Sequence, residues 1–181
     1  MSTARISPAR ASGRSSPNSN VIGIPLESTI AVHHLIFGGV LDAYPRLKLV
    51  VAHGGGYLPA YSGRIVKRRP SEKPEGCMNS TTLHQRPDCC ENIREMPTTY
   101  LKRLHFDTMV FTHEQLKYLV RQYGADYVLM GTDYPYDMGE VDPIGFIEGS
   151  SNLDDAQRRL VLGGNAALLL GIQPAQAQAA R

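Results

Sequence analysis

Apolar positions along this chain gather into short runs of two kinds. The run 47–52 (Leu47, Lys48, Leu49, Val50, Val51, Ala52) is almost continuous, with Pro45 before it and His53-Gly54-Gly55-Gly56 after it. That pattern predicts a short strand covered on both faces, as in a parallel sheet. The run 127–131 has the same design and leads into Thr132-Asp133-Tyr134-Pro135. A third strand is expected over 104–108. Between these runs the apolar residues recur at helical spacing. One helix is expected from Pro25 through Val40, weakened near its end at Gly38-Gly39 and stopped by Tyr44-Pro45. Another follows Pro59, and a short one covers 98–102. Thr112 is placed to cap a helix that runs to Gly124. Further helices are expected near 143–149, from Asn152-Leu153-Asp154-Asp155 onward, and over 165–170 before Gly171. Strands alternating with helices imply parallel βαβ units and an α/β fold.

Outside that alternation the chain is polar. Residues 1–20 are Ser, Pro, Arg and Asn with little to bury and are expected to be disordered or loosely docked. Residues 21–172 make one domain, and 173–181 form an Ala/Gln/Pro tail expected to fray. The stretch 67–98 carries Pro70, Pro74, Pro87 and Pro97, and a connection this long is usually a functional loop or an insertion. With 19 Lys+Arg against 17 Asp+Glu, the net charge of +2 gives no reason to expect nucleic acid or an acidic membrane as partner. No apolar run approaches the roughly 20 residues of a membrane helix. Cys77, Cys89 and Cys90 cannot all pair, which points to a reducing, cytoplasmic compartment.

Chemistry concentrates where the strands end. An imidazole (His53) leaves one strand beside three glycines, whose freedom to turn is expected to leave open space next to the ring. A carboxylate (Asp133) leaves another. Asp107 also stands at a strand exit, but aspartate is common in turns and that role suits it equally. Tyr57 and Tyr134 suit a pocket for an aromatic acid or simple packing.

Taken in order, Phe37-Gly38-Gly39-Val40, Tyr44-Pro45, Ala52-His53-Gly54-Gly55-Gly56, Gly63-Arg64, Phe106-Asp107-Thr108, Gly131-Thr132-Asp133-Tyr134-Pro135 and Gly164-Asn165-Ala166 resemble the C-terminal part of the amidohydrolase-related metal-dependent decarboxylases. The resemblance implies the C-terminal part of a metal-dependent hydrolase-type (β/α)₈ TIM barrel, incomplete in this chain, with a divalent metal, usually zinc, at the strand ends. It implies His53 as the catalytic histidine, Asp133 as a metal ligand, and Arg64 as the arginine that reaches a substrate carboxylate across a homodimer interface. It implies a carboxy-lyase acting on a small aromatic or unsaturated carboxylic acid, with amidohydrolase-type hydrolysis as the alternative. Such chemistry suits the residues: a metal lowers the pKa of bound water, an imidazole moves a proton, and a guanidinium grips a carboxylate bidentately.

The family's metal also takes a His-x-His and one further histidine. The histidines here are His33, His34, His53, His84, His105 and His113, and no two are separated by a single residue. The adjacent His33 and His34 point about 100° apart on a helix. Three or four strands are too few to close an eight-stranded barrel. The expectation is therefore either part of a complete enzyme or a truncated barrel with no activity of its own.

Overall fold

The computed structural model describes residues 19–65 and 92–172. The expectations for residues 1–18, for most of the connection 67–98 with its cysteines and His84, and for the tail 173–181 lie outside the described residues.

Three strands, β1 (Val50–Val51), β2 (His105–Asp107) and β3 (Val128–Leu129), form one parallel sheet in chain order. Val51 pairs with Phe106, and Phe106 with Val128. The α/β alternation is as expected, but each strand is shorter than its apolar run. Only two or three residues meet a partner before the chain turns away at its exit.

The expected cover on both faces of β1 is not found. β1 is an edge of the described sheet, with Val50 46% exposed and Val51 9%. A continuous apolar run signals burial on both sides only where the sheet continues past it, and the described sheet does not. At the other edge β3 is closed over. Met130 N–H donates to the Val161 carbonyl at 2.9 Å. The buried Asn165 amide donates to the carbonyls of Ala125 and Val128, at 2.7 Å each.

Helix α1 (Ile24–Phe37) opens with Pro25 in its first turn and sends Val32 and Ile36 into the core. It stops at Phe37, and Gly39, at φ 72, redirects the chain into α2 (Val40–Ala43). With the preceding turn Ser19–Gly23, α1 makes a helical stretch of 19 residues and mean hydropathy 1.2, long and apolar enough to cross a membrane. No such run stood out in the sequence because Glu27, Ser28, Thr29, His33 and His34 interrupt the apolar positions. The stretch is nevertheless tied to the sheet. Thr29 Oγ1 accepts the Tyr57 N–H at 2.8 Å and donates to the Pro25 carbonyl at 2.7 Å.

The remaining helices are α3 (Leu58–Tyr61), α4 (Pro97–Leu101), α5 (His113–Tyr123), α6 (Pro143–Glu148), α7 (Asp155–Arg159) and α8 (Asn165–Leu170). Thr112 caps α5 by accepting the Gln115 N–H, as its position predicts. Asp154 and Gln157 form a reciprocal capping box at the start of α7. Leu116, Leu119 and Tyr123 turn one face of α5 onto β2, where Phe106 is fully buried and its ring lies 4.8 Å from that of Tyr123. The hydroxyls of Tyr118 and Tyr123 both donate to the Pro59 carbonyl, at 2.9 and 3.1 Å, and so bind α3 to α5.

Candidate active site

Because the strands are parallel, their exits lie on one side of the sheet, and after each exit stands one non-glycine residue with positive φ. These are His53 (φ 60) after β1, Phe111 (φ 60) after β2 and Asp133 (φ 54) after β3. Such a backbone costs about 1–2 kcal/mol for a residue bearing Cβ, and residues held this way cluster at functional sites. All three line one open cavity of about 880 Å³.

The exits are laced to one another. The Gly54 N–H donates to Asp107 Oδ1 at 2.7 Å, and the Met109 N–H donates to the same oxygen at 3.1 Å. That joins the end of β1 to the end of β2. The Gly131 N–H donates to Thr108 Oγ1 at 3.0 Å and joins β2 to β3. Burial pushes the Asp107 carboxyl above its ordinary 3.8, while the amides of Gly54 and Met109 and the nearby His53 pull it the other way.

His53 begins a single turn, His53–Gly55, and all three glycines, Gly54 and Gly55 within it and Gly56 after it, take positive φ. Gly54 and Gly56 line the cavity together with His53, so the open space expected beside the ring is present, and the glycines also admit close packing on their other side. A Cβ on Gly55 would sit 2.6 Å from the Phe106 ring and 2.7 Å from Pro59, and one on Gly56 would run into the Pro25 carbonyl. These glycines let α1, β2 and α3 pack against bare backbone. The imidazole is held instead from α1, by Ser28 Oγ at 3.0 Å from Nδ1.

Asp133 opens a tight turn in which the Tyr136 N–H donates to the Asp133 carbonyl at 2.9 Å. Asp133 thus shares the cavity with His53. Arg64, in the turn Ser62–Arg64, is exposed and is not part of the cavity wall. Tyr57 lines the cavity, whereas Tyr134 is 85% exposed and outside it. Much of the wall is apolar or aromatic, including Met109, Phe111, Tyr118 and Tyr136.

Two contributors escape the sequence reading, and a third, Asp107, is left there between two roles. Ser28 touches His53 across 25 residues of chain, a contact no local pattern announces. Phe111 carries a backbone conformation that a Gly or Asn would have advertised and a Phe does not. Asp107 was visible at its strand exit, but a turn explained it as well.

Among the described residues, no three His, Cys, Asp or Glu side chains gather into a metal-binding group. One imidazole and one carboxylate fall short of the three protein ligands usual for catalytic zinc. The described donors therefore do not fit a complete metal site.

The site places an imidazole and a carboxylate at the carboxyl ends of parallel strands, the face on which α/β barrels carry their active sites. The sequence model of the amidohydrolase family matches residues 9–172, and the chain belongs to that family. It is 36% identical over 155 residues to 2-amino-3-carboxymuconate-6-semialdehyde decarboxylase of Dictyostelium discoideum, which covers 85% of this chain and 39% of the relative. Among solved structures it resembles 5-carboxyvanillate decarboxylase from Sphingomonas paucimobilis, with TM-score 0.66, 26% identity, and coverage of 82% of this chain and 41% of the other. It shares its fold with a dihydroxybenzoic acid decarboxylase from Polaromonas that holds manganese and the inhibitor 2-nitroresorcinol. There the TM-score is 0.64 at 23% identity, over 83% of this chain and 42% of that one. The chain spans about two-fifths of the length of these relatives.

Proposed function

We propose that this chain supplies the His53–Asp133 side of a carboxy-lyase active site that removes carbon dioxide from a small aromatic or unsaturated carboxylic acid. The observation that carries the reading is the aromatic-walled cavity onto which His53 and Asp133 both open. Its largely apolar and aromatic lining suits a conjugated acid, and the relatives named above are decarboxylases of such acids. On this reading His53 delivers the proton that replaces the lost carboxylate on carbon. The three strands are, on the same reading, an arc of an eight-stranded barrel.

A divalent metal belongs to the proposal, with zinc as the ion the family resemblance implies. Asp133 would be this chain's ligand to it, and the ligands still needed would come from outside the described residues. Arg64, exposed away from the cavity, is free to serve the site of a second copy in a homodimer. A reducing, cytoplasmic setting agrees with the cysteine usage.

The test is carbon dioxide release from dihydroxybenzoates and 5-carboxyvanillate by the purified chain, with zinc or manganese supplied. Metal content is measured in parallel, for the wild type and for Asp133→Ala and His53→Gln. The proposal expects metal retention that fails in Asp133→Ala, and turnover that fails in both variants. Turnover that survives His53→Gln would overturn His53's role. Equal metal in the wild type and Asp133→Ala would overturn that of Asp133.

A further inference from the structure

We propose that Ser28 is a positioning residue for His53. Its hydroxyl holds the Nδ1 edge of the ring so that Nε2 is the atom that exchanges protons with a ligand in the cavity. This deepens the proposed function and rests on it only for the identity of that ligand.

Ser28 Oγ lies 3.0 Å from His53 Nδ1. Both residues are half-buried, and the contact joins the first turns of α1 to the exit of β1. His53 also lines the cavity, and Nδ1 is the ring nitrogen engaged by the protein. The serine is itself fixed. Its neighbour Thr29 bonds both the Pro25 carbonyl and the Tyr57 N–H, and Gly56 packs against the Pro25 carbonyl. The backbone of His53 is fixed independently through the Gly54 N–H on Asp107. Ring and backbone are thus anchored from two different elements, which leaves the imidazole little freedom about χ1 and χ2.

A hydroxyl is the partner this job needs. It donates to Nδ1 when that nitrogen is bare and accepts from Nδ1–H when it carries a proton. A carboxylate there could only accept, and so would favour one tautomer and the charged ring. With Ser28 accepting from Nδ1–H, the ring can gain or lose a proton at Nε2 while the contact at Nδ1 keeps its direction, and only a change of tautomer reverses it, by rotation of one hydroxyl. Histidines that work by proton transfer commonly have the second nitrogen set in this way by a neighbour.

The experiment reads the ring directly. The full chain is produced with ¹⁵N-labelled histidine side chains, the His53 signals are assigned by their loss in His53→Gln, and Ser28→Ala and Ser28→Thr are compared with the wild type. Expected are a displaced Nδ1 signal and an altered tautomer balance in Ser28→Ala. The ring signals of His33, His34 and His113 should be unchanged, and Ser28→Thr should restore the wild-type pattern. An unmoved His53 signal in Ser28→Ala overturns the proposal. So does a Thr variant with a native amide spectrum that fails to restore the pattern. Should Ser28→Ala fail to fold, Ser28→Cys keeps the volume with a much weaker donor and is read in the same way. No turnover is measured, so an inactive chain would sink the lyase reading and leave this result standing. A silent ring spectrum would do the reverse.

Discussion

A methyl group added at Gly55 would meet the Phe106 ring at 2.6 Å and Pro59 at 2.7 Å, on a backbone with φ 83. Both neighbours are buried, so neither can move aside without disturbing the core. Gly55→Ala is expected to cost about 3 kcal/mol, from the left-handed backbone and overpacking together, read as a lower midpoint in urea. Asp107 makes a prediction about pH. Its folded pKa lies above the ordinary 3.8, so the fold favours the protonated carboxyl. The stability this group contributes is fullest below 3.8, falls as pH rises through the raised value, and is level above it. Wild-type stability measured against Asp107→Asn should therefore decline from about pH 4 upward and then flatten; a difference that rises over that window would reverse the assignment. At this scale the sequence showed the residues that punctuate strands and concealed those that hold them. His53 and Asp133 stood out because an apolar run stops at a residue with chemistry. Ser28 is one hydroxyl among many until the fold brings α1 over the end of β1.

The elements were legible in type and less so in extent. Thr112, Gly124 and the stretch Asn152-Leu153-Asp154-Asp155 mark helix ends because capping is chemistry within three or four residues, and the structure keeps those ends. Strand length depends on partners far away in sequence. The run 47–52 therefore overstated β1, which pairs only at Val50–Val51. Asn165 shows the same limit from the other side. It was read as the first residue of a helix, which it is, yet its amide also closes the open side of β3 through the carbonyls of Ala125 and Val128. Asn165→Ala is expected to lose about 2 kcal/mol, because two carbonyls lose their buried donor. Asn165→Asp, which keeps the shape but removes the N–H groups, should lose at least as much. Chemical denaturation of the two variants checks both, and a loss near zero in either would show that water replaces the amide.

For the whole molecule, the parallel sheet in chain order was implied by the alternation of runs, and the cavity at its carboxyl end by the placement of His53 and Asp133. What the pattern could not supply was the wall between them, since Tyr118 and Tyr136 arrive from a helix and a loop that sequence spacing does not relate. The same strand order also bears on how the chain reaches its fold. Phe106 finds Val128 across a single helix, whereas Val51 must find Phe106 across more than twice as much chain. Closing the longer loop costs roughly 0.6 kcal/mol more for each doubling of length. The β2–α5–β3 unit should therefore assemble first and offer β2 as a template for β1. Pulse-labelled hydrogen exchange during refolding is expected to protect the amides of α5 and of Gly131, which bonds Thr108, before that of His105, which bonds the Leu49 carbonyl. Simultaneous protection would mean that the sheet condenses in one step.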